Sequence, residues 1–384
     1  MTGESKETGG RLQSLDVLRG FDMLFIMGGA SLVGAFCAAS GCGGGWLSSQ
    51  MQHAVWNGLT HHDTIFPLFL FIAGMSWPFS LAKRRAGGQS DRTIALGCLR
   101  RAAILFLLGL VYGGLLDGRV RLGSVLGRIG VAWMVAAWLS LRLGFRGRLV
   151  AAFGLLVGYW ALLALVPSPE AATRTIPSGF EAFGRGPFSP VGNLSGWLDR
   201  HLPGVIMGVP GVMDNQSVLG YIPAAATAIF GTLTGEYVRT SSDSGDRKTV
   251  KMLVAAAVLV GLGLLVAHGF GAWSMPINKK LWSSSFTLVV GGYSVGLFAV
   301  FYWLVDVRRW WTHTLFFRVI GLNAITIYLL QRFVSVDLVS RQLFGGLASL
   351  VPTGWAPVVL KIGYIALCWL LLLALHRKKV YLKV

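Results

Sequence analysis

Apolar residues fall in long runs separated by shorter polar stretches, without the strict alternation that strands require. A hydrocarbon core about 30 Å thick needs roughly 20 apolar residues per helix. The segments that meet or approach that length are 17–37, 64–82, 102–116, 125–143, 149–166, 220–238, 251–269, 283–305, 316–333 and 356–375, the third being the shortest. Lipid offers backbone groups no hydrogen-bond partners, so only helices or closed barrels cross it. Runs lacking the alternation of barrel strands select helices. The pattern predicts an all-α, polytopic integral membrane bundle of about 10 transmembrane helices.

Composition sharpens this picture. The 384 residues are 54% hydrophobic and only 13% charged, against about a quarter charged in an ordinary soluble domain, which excludes a soluble enzyme. The net charge of +18 therefore sits on a very apolar body, with a mean hydropathy of +0.63. Lys and Arg concentrate between alternate segments: Lys6, Arg11 and Arg19; Lys83 to Arg101; Arg142, Arg146 and Arg148; Arg239 to Lys251; Arg308, Arg309 and Arg318; and Arg377 to Lys383. The positive-inside rule then puts both termini in the cytoplasm, with the basic loops facing anionic lipid and no nucleic-acid partner. Fourteen Trp and 51 Gly suit a membrane protein as well. Four Cys, at 37, 42, 98 and 368, are too few for a disulfide framework. No run of small residues follows an early apolar stretch, so the first segment is expected to be retained rather than cleaved. The organisation expected is a cytoplasmic N-terminal segment over 1–16, a transmembrane domain over 17–375 with outward loops at 38–62 and 167–219, and a basic cytoplasmic tail over 376–384.

Both outward loops are longer than most connections and are therefore candidates to bind or cover something. Ionisable residues in or beside apolar segments are costly, and Asp22, Asp63, Arg128, Glu236 and Arg332 stand out on that ground. An internal ion pair or a snorkelling side chain is the plainer reading for Glu236 and Arg332. The densest polar cluster is His53-Ala-Val-Trp-Asn-Gly-Leu-Thr-His-His-Asp63. A neutral imidazole at the mouth of a bundle can serve as general base or nucleophile, and a carboxylate such as Asp63 can fix its tautomer. The spacing matches no local ligand motif, so no metal is expected. A second outward cluster, Pro276-Ile-Asn-Lys-Lys-Leu-Trp-Ser-Ser-Ser-Phe286, offers Asn278, Lys279 and Ser283 to hydroxyls or a carbonyl oxygen; by itself it reads as an ordinary helix start, since Ser and Asn are common caps.

At these residues the chain resembles the heparan-alpha-glucosaminide N-acetyltransferase family of transmembrane acetyltransferases, in its compact bacterial form. The resemblance is carried by Arg11-Leu-Gln-Ser-Leu-Asp-Val-Leu-Arg-Gly20, His53-Ala-Val-Trp-Asn-Gly-Leu-Thr60, Asp63-Thr-Ile-Phe-Pro67 with Phe71-Ile-Ala-Gly74, and Leu126-Gly-Arg-Ile-Gly-Val131. It continues through Pro276-Ile-Asn-Lys-Lys-Leu-Trp-Ser-Ser284, Gly321-Leu-Asn-Ala324 and the basic tail, in order, over essentially the whole chain. Three departures are a missing large N-terminal lumenal domain, His61-His62 in place of small or apolar residues, and Gly28-Gly-Ala-Ser31 where the animal enzyme has a polar asparagine.

The resemblance implies transfer of acetyl from cytosolic acetyl-CoA to the amine of a glucosamine-type sugar on the outer side, in a bacterial inner membrane, with no metal and with a homodimer as the expected assembly. It makes His53 and Asp63 the catalytic pair. Trp56, Asn57, Arg128, Asn278, Lys279, Trp282, Ser283 and Asn323 are the substrate-binding candidates that it suggests. Arg19, Arg100 and Arg101 are the candidates for the phosphates of acetyl-CoA, although positive-inside charge explains them equally well. An amino-sugar transporter, or an O-acyltransferase acting on an extracellular glycan, fits the same helix count and charge pattern.

Overall fold

Each of the ten apolar segments is helical in the computed structural model, which describes residues 12–118, 120–202 and 212–382. Lys6, Arg11, Lys383, most of the N-terminal segment and part of the 167–219 loop lie outside the described residues. In chain order the long helices are α1 (Gln13–Ala39), α2 (His61–Ala86), α3 (Asp91–Tyr112), α4 (Val125–Arg142), α5 (Phe145–Leu165), α6 (Tyr221–Thr240), α7 (Gly245–His268), α8 (Ser284–Val307), α9a (Leu315–Leu322) with α9b (Ala324–Phe333), and α10 (Thr353–Arg377). Among the described residues eight of these are long and apolar enough to cross a membrane, and the bent α9 pair makes a ninth. The chain is therefore a multi-pass membrane protein. The tenth expected segment, α6, is 20 residues long but less apolar. It lies inside the bundle against α2, α4, α5 and α8, where Thr227, Thr232 and Thr234 are shielded from lipid.

Local chemistry sets the helix starts. Serine side chains accept the first free N–H groups of α3 (Ser90 from Thr93, 3.3 Å), α4 (Ser124 from Gly127, 3.0 Å), α7 (Ser244 from Arg247, 3.4 Å) and α8 (Ser283 from Phe286, 3.2 Å). Capping also explains where α3 departs from expectation. The apolar run begins near 102, but the helix starts at Asp91 because Ser90 caps it there, and it stops at Tyr112 before a Gly113-Gly114 turn rather than at 116. The ninth segment is bent by 68° at Asn323, whose side-chain amide donates to the Val319 carbonyl at 3.0 Å. The first helix carries a π turn over Phe25–Gly29. Short helices escape hydropathy, the longest being Val336–Ala348, a 13-residue helix packed on α10 that is too short and too polar to read as a span.

A tight seam joins α2 to α6. A Cβ on Gly231 would meet the Phe71 carbonyl oxygen at 2.1 Å, and one on Gly235 would meet that of Met75 at 2.2 Å. This G-x-x-x-G face lets two backbones touch without intervening side chains, the usual device for packing helices in lipid. Arg148 on α5 closes the neighbouring gap by pairing with Glu236 on α6, so that intramembrane carboxylate has its counter-ion inside the bundle. Most apolar packing gathers around α2, α4, α6 and α8, and a smaller cluster holds α1, α9 and α10 together through Met23, Met27, Ile320, Ile327 and Leu372.

Candidate active site

The first turn of α2 carries the carboxylate on which the site is built. Asp63 stands at the third helical position, and its Oδ2 accepts from the Thr60 backbone N–H at 3.3 Å, the Thr60 hydroxyl at 3.0 Å and the Ala54 N–H at 3.2 Å. It thus serves as the acidic half of a capping box, where the helix dipole favours its negative charge. Its other oxygen, Oδ1, lies 2.7 Å from Nδ1 of His53 and 3.5 Å from Nζ of Lys279. The side chain of Asp63 is 1% exposed while that of His53 is 52% exposed, so a buried anion holds an imidazole that faces outward.

Nδ1 of His53 is also 3.1 Å from Lys279 Nζ. One ring nitrogen cannot donate to Asp63 and accept from an ammonium together. The carboxylate can only accept, so it selects the tautomer with the proton on Nδ1, and Lys279 is then held by its ion pair with Asp63. Nε2 of His53 is left with its lone pair, as a general base requires. Burial lowers the ammonium of Lys279 to about 8, with the charge of Asp63 opposing that shift.

The loop that bears His53 is fastened from the second outward cluster. Gly58 donates its N–H to the Ile277 carbonyl at 2.9 Å, and the Asn278 amide donates to Oδ1 of Asn57 at 3.2 Å. Lys280 donates to the Val55 carbonyl and to that of Ala54 at 3.4 Å. Trp56 is 1% exposed and its indole N–H reaches the Phe188 carbonyl at 3.0 Å, so it anchors the loop against the 167–219 segment while also lining the outer cavity of the site. The lysine loop is itself rigid. Asn278 accepts from the Leu281 N–H at 2.9 Å and donates its own N–H to Ser283 Oγ at 3.0 Å. Trp282 occupies the left-handed region at φ 53, a costly conformation for a bulky residue that persists only when its surroundings enforce it. Phe66, Phe286 and the Arg128 guanidinium, 4.7 Å from the ring, surround it. Arg128 is wholly buried and donates to the Ser217 carbonyl at 2.8 Å, so it supports Trp282 from behind and does not line the cavities.

Three adjoining cavities run from this cluster into the bundle. The outer one, about 200 Å³, is lined by His53, Asp63, Tyr112, Arg121, Gln216 and Lys279. The middle one, about 370 Å³, shares His53, Lys279, Tyr112, Gln216 and Tyr328 with it, adds His62, and is otherwise walled by apolar residues such as Phe69, Leu126 and Ile325. Those three also line the innermost cavity, about 1230 Å³, where Arg19, Lys83, Arg101 and Arg239 gather. Of the basic candidates, Arg19 and Arg101 face this chamber, whereas Arg100 is exposed on the outside of α3 and does not line it. Asn323 is buried at the bend of α9 and supports the helix break, with Leu322 and Ala324 on either side of it lining the chamber.

Several lining residues escape sequence reasoning. The ring of His62 lies 4.5 Å from that of His53, tilted by 51°. Tyr112 and Tyr328 stack at 4.6 Å, and Arg121 makes a two-point contact with Asp214 at 2.8 Å on each side. Arg121 and Gln216 come from connections whose approach to His53 is set by tertiary folding alone; their only signal is polar character within a long loop.

No family model matches the chain. It is 28% identical over 364 residues to a human protein named heparan-alpha-glucosaminide N-acetyltransferase, covering 83% of this chain and 52% of that one. The mouse protein of the same name is 28% identical over 330 residues, covering 74% and 49%. These matches support the family read from the motifs. The chain spans about half the length of the curated relatives it matches.

Proposed function

We propose that the chain is a transmembrane N-acetyltransferase that moves acetyl from acetyl-CoA, bound from the cytoplasmic side, to the amine of a glucosamine-type sugar on the outer side of a bacterial inner membrane. The observation that carries this reading is the His53–Asp63 contact of 2.7 Å at one end of a set of cavities whose other end is basic. The names of the two mammalian relatives give the reaction class. The chamber lined by Arg19, Lys83, Arg101 and Arg239 suits the phosphates of the donor, and the apolar walls beyond it suit an uncharged arm. Acetyl-CoA supplies an activated thioester carbonyl.

His53 Nε2 takes the proton from the sugar amine as its nitrogen attacks that carbonyl. Asp63 steadies the imidazolium that forms, and the imidazolium returns the proton to the departing thiolate. Lys279 lies within reach of the same space and its ammonium opposes the negative charge that develops on the carbonyl oxygen. A positioned base of this kind contributes about 10² to 10⁴ in rate.

The test is transfer of labelled acetyl from acetyl-CoA to glucosamine by the purified full chain, with His53→Ala beside it. The expected result is N-acetylglucosamine from the parent protein, a loss of at least about 100-fold in the variant, and no acetyl group on the protein after acid quench. Substantial turnover by folded His53→Ala overturns the catalytic role. Solute uptake without acetyl-CoA binding or transfer overturns the enzyme reading in favour of transport, and a product lost in mild base indicates an O-acetyl acceptor instead.

A further inference from the structure

The end of α1 is built so that two cysteines meet. The helix finishes at Ala39, Gly41 takes the left-handed conformation at φ 76, the Cys42 N–H donates to the Cys37 carbonyl at 2.8 Å, and the Gly41 N–H donates to the Ala38 carbonyl at 3.3 Å. These paired bonds define a Schellman cap, in which the residue after the left-handed position folds back onto a residue of the last helical turn. That contact is usually hydrophobic. Here its two members are Cys42 and Cys37, which the backbone bond between them brings together at the helix end. Cys42 is exposed and Cys37 is buried. The other two cysteines, Cys98 and Cys368, are buried on α3 and α10.

We propose that Cys37 and Cys42 form a disulfide that locks this cap, a modification site at the head of the loop that carries His53. The inference rests on the orientation proposed above, which puts the cap on the oxidising side of the membrane, where disulfides form and persist. The oxidant is a protein disulfide of the thiol-oxidoreductase class. The exposed Cys42 thiolate attacks one sulfur of that disulfide, forming a mixed disulfide and releasing the other sulfur as a thiolate. Cys37, deprotonated, then attacks the Cys42 sulfur. The bond between Cys37 and Cys42 forms, the oxidant leaves as a dithiol, and two electrons and two protons have passed to it. The cap sits eleven residues before His53 at its nearer cysteine, and the intervening helix Trp46–Gln50 is tied to α2 by the Gln50 side chain, which accepts from the His61 N–H at 2.9 Å. The bridge thus fixes the first of the two ends between which the loop is strung.

The experiment uses cells expressing the full chain. Free thiols are blocked under denaturing conditions with one maleimide, disulfides are then reduced, a second maleimide labels what is released, and peptide mass spectrometry reads the four sites. The expected result is the second label on Cys37 and Cys42 and the first on Cys98 and Cys368, with Cys37 moving to the first label in Cys42→Ser. First label on all four overturns the proposal. A membrane-impermeant maleimide applied to intact cells expressing Cys37→Ser tests the orientation apart from the bridge. Labelling of Cys42 from outside, when the four-thiol result has been found, leaves the orientation standing and the bridge refuted. No labelling from outside, together with four free thiols, overturns both.

Discussion

Replacing Asp63 with asparagine changes one atom in volume terms and removes the anion on which His53 depends. Once His53 has taken a proton, it and Asp63 are opposite charges whose centres are about 4 Å apart, worth about 1 kcal/mol in bulk water and about 4 kcal/mol at an effective dielectric of 20. His53 is half exposed and Asp63 is buried, so the interaction falls between these limits, at about 2 kcal/mol. At 1.36 kcal/mol per decade that loss slows the chemical step about 30-fold. The amide adds a second penalty in the same direction, because its NH₂ can face Nδ1 and favour the tautomer with the proton on Nε2, where the base has no lone pair to offer. Single-turnover transfer from acetyl-CoA to glucosamine at neutral pH is the assay, with the melting temperature recorded alongside because Asp63 also caps α2. The expected outcome for Asp63→Asn is a fall of 30-fold or more in the rate constant, with the acetyl-CoA concentration dependence little changed. A folded variant retaining a third or more of the parent rate would refute the assignment of Asp63 as the group that orients and stabilises His53.

The ammonium of Lys279, held at about 8 in the folded protein, gives transfer an alkaline limb near that pH as its charge is lost; Lys279→Met removes the limb along with part of the rate, and a limb that survives in the variant belongs to another group. The ordinary value of this lysine is 10.5, so the unfolded chain holds the extra proton between about 8 and 10.5, and its contribution to stability rises with pH across that window. Arg101→Ala is expected to weaken acetyl-CoA binding about tenfold, as loss of a charge-assisted hydrogen bond does, while Arg100→Ala, outside the chamber, leaves it unchanged; equal effects in titration calorimetry would refute the chamber as the donor site. Gly231→Ala forces a methyl onto the Phe71 carbonyl and is expected to cost about 1–3 kcal/mol, whereas Gly34→Ala, with nothing within 4 Å, is neutral or stabilising, a difference read as opposite shifts in melting temperature. His61→Ala is expected to be mild, since that ring packs edge-on against Phe25 rather than on His53, and an inactive but folded variant would contradict this.

Hydropathy located the spans because lipid imposes a length and polarity rule on a crossing helix, and among the described residues eight of the ten obey it outright, α6 escaping it by lying inside the bundle and α9 meeting it only as a bent pair. It misjudged α3 because helix boundaries follow caps, and Ser90 with Asp91 lies a full three turns before the apolar run begins. It could not see the bend at Asn323, since one asparagine in an apolar run leaves the average unchanged. His53, Asp63 and Lys279 were legible as chemistry: polar residues cost too much beside a membrane to be left there without partners. Their distances were not legible, because His53 and Lys279 are 226 positions apart and meet only through folding. Arg128 shows the limit from the other side. Its position in an apolar helix marked it as costly and the resemblance made it a substrate-binding candidate; in the structure it lies behind Trp282, where a guanidinium face supports an aromatic ring in a strained backbone.

The seam between α2 and α6 has a counterpart between α1 and α9a, where a Cβ on Gly20 would meet the Phe317 carbonyl oxygen at 1.8 Å and one on Gly321 that of Asp16 at 2.2 Å. Where carbonyl oxygens rest directly on glycine Cα atoms, two helices have no side chains to re-rotamerise and no clearance in which to slide. The α2–α6 seam is a keel that carries Asp63 at the start of α2. The interruptions lie beyond the α1–α9a seam, in the π turn of α1 over Phe25–Gly29 and the bend of α9 at Asn323, which pack with α10 through methionine and leucine side chains. Leu322, Ala324 and Ile325 beside the bend form part of the wall of the inner chamber. The interrupted ladders of α1 and α9, rather than either glycine seam, are therefore where the chamber wall can yield.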